Sequence, residues 1–224
     1  MKSLNNYQEL IVFDCETTGF DSRMNHIIEL GCSKYSLQGN EYVLTEEQND
    51  LVRINYLLPY QIVQLTGITD LVLSQKGKEE EVVTDIFYNK FVKPNGMKKL
   101  FIAYNAPFDI GFIKEMLKRH NLSFPNESDF LDVLTMFKDR APYPHKLENA
   151  INFYKLNQQV INSHRAIDDA LATFEILKAM TRDFDDAIKY VNLFGYNPKY
   201  PPKKKADNIL YKAQYYNSKN RLYE

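Results

Sequence analysis

The stretch that decides how this chain folds is Leu10-Ile11-Val12-Phe13-Asp14-Cys15-Glu16-Thr17-Thr18-Gly19. Four apolar residues in succession, closed by a Thr-Thr-Gly turn, predict a strand buried on both faces of a sheet. Side chains two apart on a strand share a face, so Asp14 and Glu16 project together while Cys15 points the other way. Adjacent carboxylates repel unless a cation lies between them, and hard oxygen ligands of this kind suit Mg²⁺ or Mn²⁺. An Asp and a Glu so spaced are commoner at a solvated strand edge, so the pair carries weight only if other segments supply partners.

Two other segments do. Lys99-Leu100-Phe101-Ile102-Ala103-Tyr104 reads as a second strand, followed by a Pro-marked turn and a helix from about Phe108 to His120. Asp109 falls in its first turn, where the helix dipole alone would favour a carboxylate. Further on, His164-Arg165-Ala166-Ile167-Asp168-Asp169-Ala170 opens a helix from Ala166 to Ala179. Its apolar positions Ile167, Ala170, Leu171, Phe174 and Leu177 follow a helical spacing. Asp14, Glu16, Asp109, Asp169 and His164 together read as a two-metal phosphodiesterase centre with a histidine base.

Working outward, strands are predicted at Ile27 to Leu37, Tyr42 to Leu44 and Leu51 to Ile54, with Gln38-Gly39-Asn40 as a hairpin turn. Helices follow around Pro59 to Gly67 and Glu79 to Val92. The strand at Leu100 to Tyr104 and another near Phe130 to Val133 add on the other side of strand one, and a helix follows at Leu147 to Tyr154. The Pro-rich, basic loop from Lys138 to Lys146 contains His145, a rival histidine; His26 and His120 have no carboxylate motif around them.

At these motifs the chain resembles the DnaQ-like 3′-to-5′ exonucleases of the DEDDh type, exemplified by the proofreading epsilon subunit of bacterial DNA polymerase III. The resemblance covers roughly residues 8 to 180, with the motifs in the family's order. Lesser marks are Ile28-Glu29-Leu30-Gly31, Leu65-Thr66-Gly67-Ile68-Thr69 and Phe130-Leu131-Asp132-Val133-Leu134. It implies an α/β fold of the ribonuclease H-like plan, a mixed five-stranded sheet flanked by helices.

Carried over residue by residue, the resemblance makes Asp14, Glu16, Asp109 and Asp169 the ligands of two Mg²⁺ or Mn²⁺ ions, and His164 the general base. The family's spacing from the histidine selects Asp169 over Asp168, which reads as a solvated neighbour because successive helical residues point about 100° apart. Two metals about 4 Å apart can activate a water and stabilise the leaving 3′ oxygen. An imidazole, which exchanges protons near neutral pH, suits the base role. The same resemblance sets Thr17 and Thr18 beside the terminal nucleotide, with Phe108 offering an apolar face to a base and Asn105 a polar contact. Each has a structural alternative: Phe108 as core, the threonines as turn formers, Asn105 as a helix cap.

The chain has 224 residues, 44% of them hydrophobic, enough for a sizeable core and one catalytic domain with a tail. A formal net charge of −1 argues against strong nonspecific nucleic-acid binding, while leaving room for an acidic metal site offset by basic patches. Cys15 and Cys32 have no metal-binding spacing and read as reduced core residues. No membrane span or signal-peptide core is evident, so a soluble, cytoplasmic protein is expected.

The division expected is an exonuclease domain over 1–184 and a basic, Tyr-rich C-terminal tail over 185–224. Tyr196-Asn197-Pro198-Lys199-Tyr200-Pro201-Pro202-Lys203-Lys204-Lys205, with Tyr211, Tyr215, Tyr216 and Tyr223, suits single-stranded nucleic acid, a polymerase or other partner, or a tail that packs back on the domain or stays disordered. The activity expected is release of nucleoside 5′-monophosphates from DNA 3′ ends, single-stranded at the site, in proofreading or repair. Two alternatives stand beside it: an RNA 3′ exonuclease resembling oligoribonuclease or RNase T, and a noncatalytic nucleic-acid or polymerase binding module. DNA preference rests on the resemblance, since discrimination depends largely on 2′-hydroxyl contacts that no residue here reveals. Oligomeric state is not readable from the sequence.

Overall fold

The computed structural model describes residues 1–160, 163–202, 206, 208–216 and 220–224. β1 (Glu9–Thr17) lies at the centre of the sheet, with β2 (Ile27–Gln38) and β3 (Glu41–Leu51) beyond it on one side. The chain then forms α1 (Tyr60–Thr66), α2 (Asp70–Lys76) and α3 (Glu80–Phe87), the last running into a π-helical turn at Tyr88–Val92. β4 (Lys99–Ala103), α4 (Ala106–Arg119), β5 (Asp129–Asp132), α5 (Val133–Lys138), α6 (Leu147–Phe153) and α7 (Ala166–Asp183) follow. The five-stranded sheet has the order β3-β2-β1-β4-β5. β1, β2 and β3 are antiparallel neighbours, whereas β4 and β5 join in parallel, the mixed arrangement expected.

The apolar run of β1 is continuous because both faces of the strand are covered. Leu10 and Val12 pack with Phe174, Ile176 and Leu177 of α7, while Ile11, Phe13 and Cys15 pack with Phe87 of α3 and Ile113 of α4. Leu10, Ile11, Val12 and Phe13 are fully buried, each contributing about 1.5–3 kcal/mol by removal from water. This alternation fixes the site: Asp14 and Glu16 continue the α7 face beyond Val12, and Cys15 continues the other.

The edge of the sheet departs from expectation. Tyr42 to Leu44 and Leu51 to Ile54 do not form two short strands; β3 runs unbroken through Thr45-Glu46-Glu47-Gln48-Asn49-Asp50. The ladder with β2 holds this polar run, with a bulge between Lys34 and Tyr35. As an edge strand, β3 exposes most of its side chains to water, which removes the apolar signal on which a strand prediction depends. Two helices also lay outside the prediction. α2 is capped by Thr69, whose hydroxyl accepts from Val72 N, and α5 by Asp132, which accepts from Leu134 N and Thr135 N.

The C-terminal segment packs back on the sheet. After a 3₁₀ turn at Ala187–Tyr190, β6 (Leu193–Tyr196) pairs in parallel with β7 (Leu210–Ala213). Asn192 splices this pair to β5: its backbone N donates to Phe130 O at 2.8 Å, and its side-chain oxygen accepts from Phe130 N at 2.8 Å. Tyr190, Phe194 and Ile209 are buried. Lys203, Lys204 and Lys205, the basic run of the predicted tail, lie outside the described residues.

Candidate active site

Three elements converge at the end of the central strand. β1 delivers Asp14 and Glu16 on the α7 face, and the turn from β4 into α4 delivers Asp109. Asp109 is buried, and its Oδ1 accepts from Cys15 N at 3.0 Å, which ties its carboxylate to the backbone between Asp14 and Glu16. The turn itself is held by buried Asp132, whose Oδ1 accepts from Asn105 N at 3.0 Å and Ala106 N at 3.1 Å. The same carboxylate caps α5, so one side chain at the end of β5 organises two helix starts.

The entry to α7 brings the remaining groups. Glu16, His164 and Asp169 each offer a ligand atom, and these atoms lie within 4.8 Å of one another. His164 is exposed and has φ of 52°, which turns the chain sharply just before the helix. Asp168 points elsewhere and accepts from Ser163 Oγ at 2.5 Å. The other histidines are engaged: His145 Nε2 donates to Ala141 O at 2.8 Å, and His26 and His120 lie 3.4 and 3.1 Å from Glu80.

Glu29, noted in sequence only as part of a lesser mark, sets the position of this entry. It is fully buried on β2, accepts from Arg165 Nε and Nη2, and accepts from Ala166 N at 3.2 Å. A carboxylate buried at a helix N-terminus and paired with Arg is stabilised by both. The clamp holds Arg165 and Ala166, the two residues that follow His164, against the sheet. Two positions later on β2, Gly31 permits the approach, because a Cβ there would run into the backbone of Ala166 and Ile167. The sequence signal for Glu29 was a charged residue inside the otherwise apolar start of β2, from Ile27 to Cys32.

The electrostatics of the cluster call for a cation. Burial first, then the charges of Asp109, Asp169 and Glu16, hold the Asp14 carboxyl well above the usual range. Burial, then Asp169 and Glu29, push Glu16 up to about 8, with Arg165 pulling the other way. Burial, then Asp168 and Glu29, push Asp169 up to about 7. Burial also raises Asp109, against the lowering effect of the Cys15 amide. Arg165 is already committed to Glu29, and Asp169 Oδ1 is buried without a hydrogen-bond partner among the described residues. Four converging carboxylates with an orphaned oxygen fit hard divalent cations, with Asp14, Glu16, Asp109 and Asp169 as the residues to hold them.

Asp14, His164 and Asp169 open into a cleft of about 650 Å³, shared with Leu65, Asn105, Tyr143 and Tyr216. Asn105 is the N-cap of α4 with φ of 71°, and its side chain makes no capping bond. Thr17 and Thr18 are buried: Thr17 Oγ1 donates to Gly19 O, and Thr18 Oγ1 accepts from His26 N. Both hydroxyls therefore shape the turn after β1. Phe108 is half-buried against Phe112, with ring centroids 4.9 Å apart.

An exonuclease family model, RNase T, matches residues 11–177. The chain is 32% identical over 192 residues to a DNA polymerase III PolC-type protein of Clostridium perfringens, covering 86% of this chain and 12% of that protein. It is 29% identical over 174 residues to a DNA polymerase III subunit epsilon of Buchnera aphidicola, covering 75% of this chain and 70% of the relative. The fold matches Escherichia coli Exonuclease I, solved with a dA16 oligonucleotide, with a TM-score of 0.68 and 17% identity over 82% of this chain and 42% of that one. The chain belongs to the DnaQ-like exonuclease family, on the ribonuclease H-like fold. Members of this family generally use divalent metals. No described helix is long and apolar enough to cross a membrane.

Proposed function

We propose that this chain is a metal-dependent 3′-to-5′ exonuclease that releases nucleoside 5′-monophosphates from DNA 3′ ends, in proofreading or repair. The observation that carries the proposal is the gathering of two buried carboxylates, Asp109 and Asp169, with the half-buried Asp14 and Glu16 beside His164, whose ring lies within 4.8 Å of ligand oxygens of Glu16 and Asp169. Two bound Mg²⁺ or Mn²⁺ ions would supply charge neutralisation at the phosphoryl oxygens and easier deprotonation of the attacking water.

The chain's own residues supply the rest. His164, exposed at the rim, accepts the proton of the water as its oxygen bonds to phosphorus, and the bond from phosphorus to the 3′ oxygen breaks. Glu29 and Arg165 hold the corner that carries the imidazole. The turn built by Thr17 and Thr18 and the free side chain of Asn105 contact the terminal nucleotide, and Phe108 borders its base. The products are a nucleoside 5′-monophosphate and a strand one nucleotide shorter. Residues 1–184 form the exonuclease domain in this reading, with the described residues of 185–224 docked upon it. The likeness to epsilon and PolC-type proteins supports work beside a DNA polymerase, and the single-stranded DNA bound in a structure of Exonuclease I supports single-stranded ends as substrate.

The test is digestion of matched single-stranded DNA and RNA oligonucleotides labelled at the 5′ end, with Mg²⁺, Mn²⁺ or chelator. Metal-dependent shortening from the 3′ end, faster on DNA, is the expected result. Faster shortening of RNA would reassign the substrate, and no shortening of either would leave a binding module.

A further inference from the structure

Three aromatic rings stand at the far wall of the catalytic cleft, and one of them comes from the C-terminal segment that family resemblance does not reach. Tyr216 lies face to face with His145, with centroids 5.5 Å apart and planes 16° apart. Tyr143 meets Tyr216 edge-on at 5.6 Å and His145 edge-on at 5.9 Å. His145 is buried beneath them, while Tyr143 is 71% and Tyr216 43% exposed. All three line the same cleft as Asp14, His164 and Asp169, together with Lys138 and Lys146.

The platform is built on fixed supports. His145 O accepts from Tyr104 Oη at 2.8 Å, which ties the loop to the end of β4 beside Asn105. Gln214 is buried, and its Nε2 donates to Thr135 O at 2.9 Å and Asp139 Oδ1 at 2.7 Å. Beyond Tyr216, Leu222 N donates to Asp139 Oδ2 at 2.6 Å and Arg221 Nη1 to Asp139 O at 2.6 Å. Tyr216 thus follows two residues after an anchored side chain, and Asn197 Nδ2 donates to its hydroxyl at 3.3 Å.

Resting on the exonuclease reading above, we infer that Tyr216 and Tyr143 form a stacking subsite for a base of the single strand whose end lies at the carboxylates. Exposed aromatic faces beside a phosphodiester site offer sequence-tolerant stacking, which suits a substrate of any sequence. Lys138 and Lys146 supply positive charge to the strand along the same wall. With a formal net charge of −1, the chain has no general electrostatic attraction for nucleic acid, so local stacking has a large share of the binding to supply. The C-terminal segment thereby becomes part of the substrate cleft.

The test is fluorescence anisotropy of a 5′-labelled thymidine oligonucleotide on the full chain, with Ca²⁺ replacing Mg²⁺, beside a digestion assay in Mg²⁺. Tyr216→Ala is expected to weaken binding about tenfold, Tyr216→Phe to restore it, and Tyr143→Ala to weaken it by less. Thermal melting checks that each variant folds, and Tyr143→Ala reports on the platform if Tyr216→Ala does not. Wild-type affinity in both alanine variants, or no binding by the wild type, overturns the subsite. Tight wild-type binding that depends on Tyr216, without digestion in Mg²⁺, would instead overturn the exonuclease reading and leave the subsite standing.

Discussion

The two halves of the candidate centre are held by different physics. Asp14 and Glu16 sit on a central strand, bonded to β2 on one side and, up to Val12, to β4 on the other, so sheet register dictates their face. His164 and Asp169 arrive from an exposed corner whose attachment to the sheet depends on the buried Glu29 and its bonds to Arg165 and Ala166. The strand half can change only with the fold, whereas the corner that carries His164 is held by the Glu29 ion pair at the head of a helix packed on β1. Asp14 and Glu16 thus belong to the sheet, and His164 is adjusted against it.

This contrast predicts a graded series of losses. Asp14→Ala removes a carboxylate of the strand half and is expected to lower kcat by about 10³-fold or more, because charge neutralisation at the phosphoryl group is lost. Steady-state digestion of an oligonucleotide checks it, and a loss smaller than that of His164→Ala would break the proposed division. His164→Ala removes the base and is expected to cost about 10²-fold. The same assay across pH should show its residual rate tracking hydroxide, and a rate equal to wild type would strike His164 from the mechanism.

Glu29→Gln keeps the shape of the side chain but weakens the clamp at the corner of α7. Arg165 is partly exposed and can be solvated, so the expected loss is modest, about tenfold in kcat with little change in melting temperature. Equal rates in Glu29→Gln and wild type would mean that helix packing alone places the histidine.

The smallest effect expected is on stability. Glu16 and Asp169 have carboxyls raised to about 8 and about 7, above their ordinary 4.5 and 3.8, so between about pH 4 and 8 the folded chain binds more protons than the unfolded one. Stability of the metal-free protein therefore falls as pH rises through that window. A melting temperature lower by about 5 °C at pH 8 than at pH 5, with the difference abolished by Mg²⁺, is the expected calorimetric result. A rise with pH would show that the carboxylates are not mutually strained.

How much of this was legible in the sequence follows the same contrast. The strand half was readable because an apolar run doubly buried leaves a continuous signal, and its period of two assigns the faces of Asp14, Cys15 and Glu16. The long helices α4 and α7 were readable from their spacing, apart from their ends. β3 was misread as two strands because an edge strand needs no apolar residues between Thr45 and Asp50. The pairing of β6 with β7 left no local trace, since each strand is four residues long and the pair joins β5 through Asn192 docking to Phe130 across 62 positions of sequence. Glu29 was visible as a charge within the apolar start of β2, but its partner Arg165 lies 136 residues away, a distance at which sequence pattern is silent.

The most direct test of the central claim is titration of Mn²⁺ into the metal-free protein by calorimetry, comparing wild type with Asp14→Ala and His164→Ala. Two bound ions in the wild type, loss of binding in Asp14→Ala and near-normal binding in His164→Ala would match a metal seat built by the strand and a base set beside it. Wild-type binding in Asp14→Ala would contradict the account, because the converging carboxylates would then not be the seat.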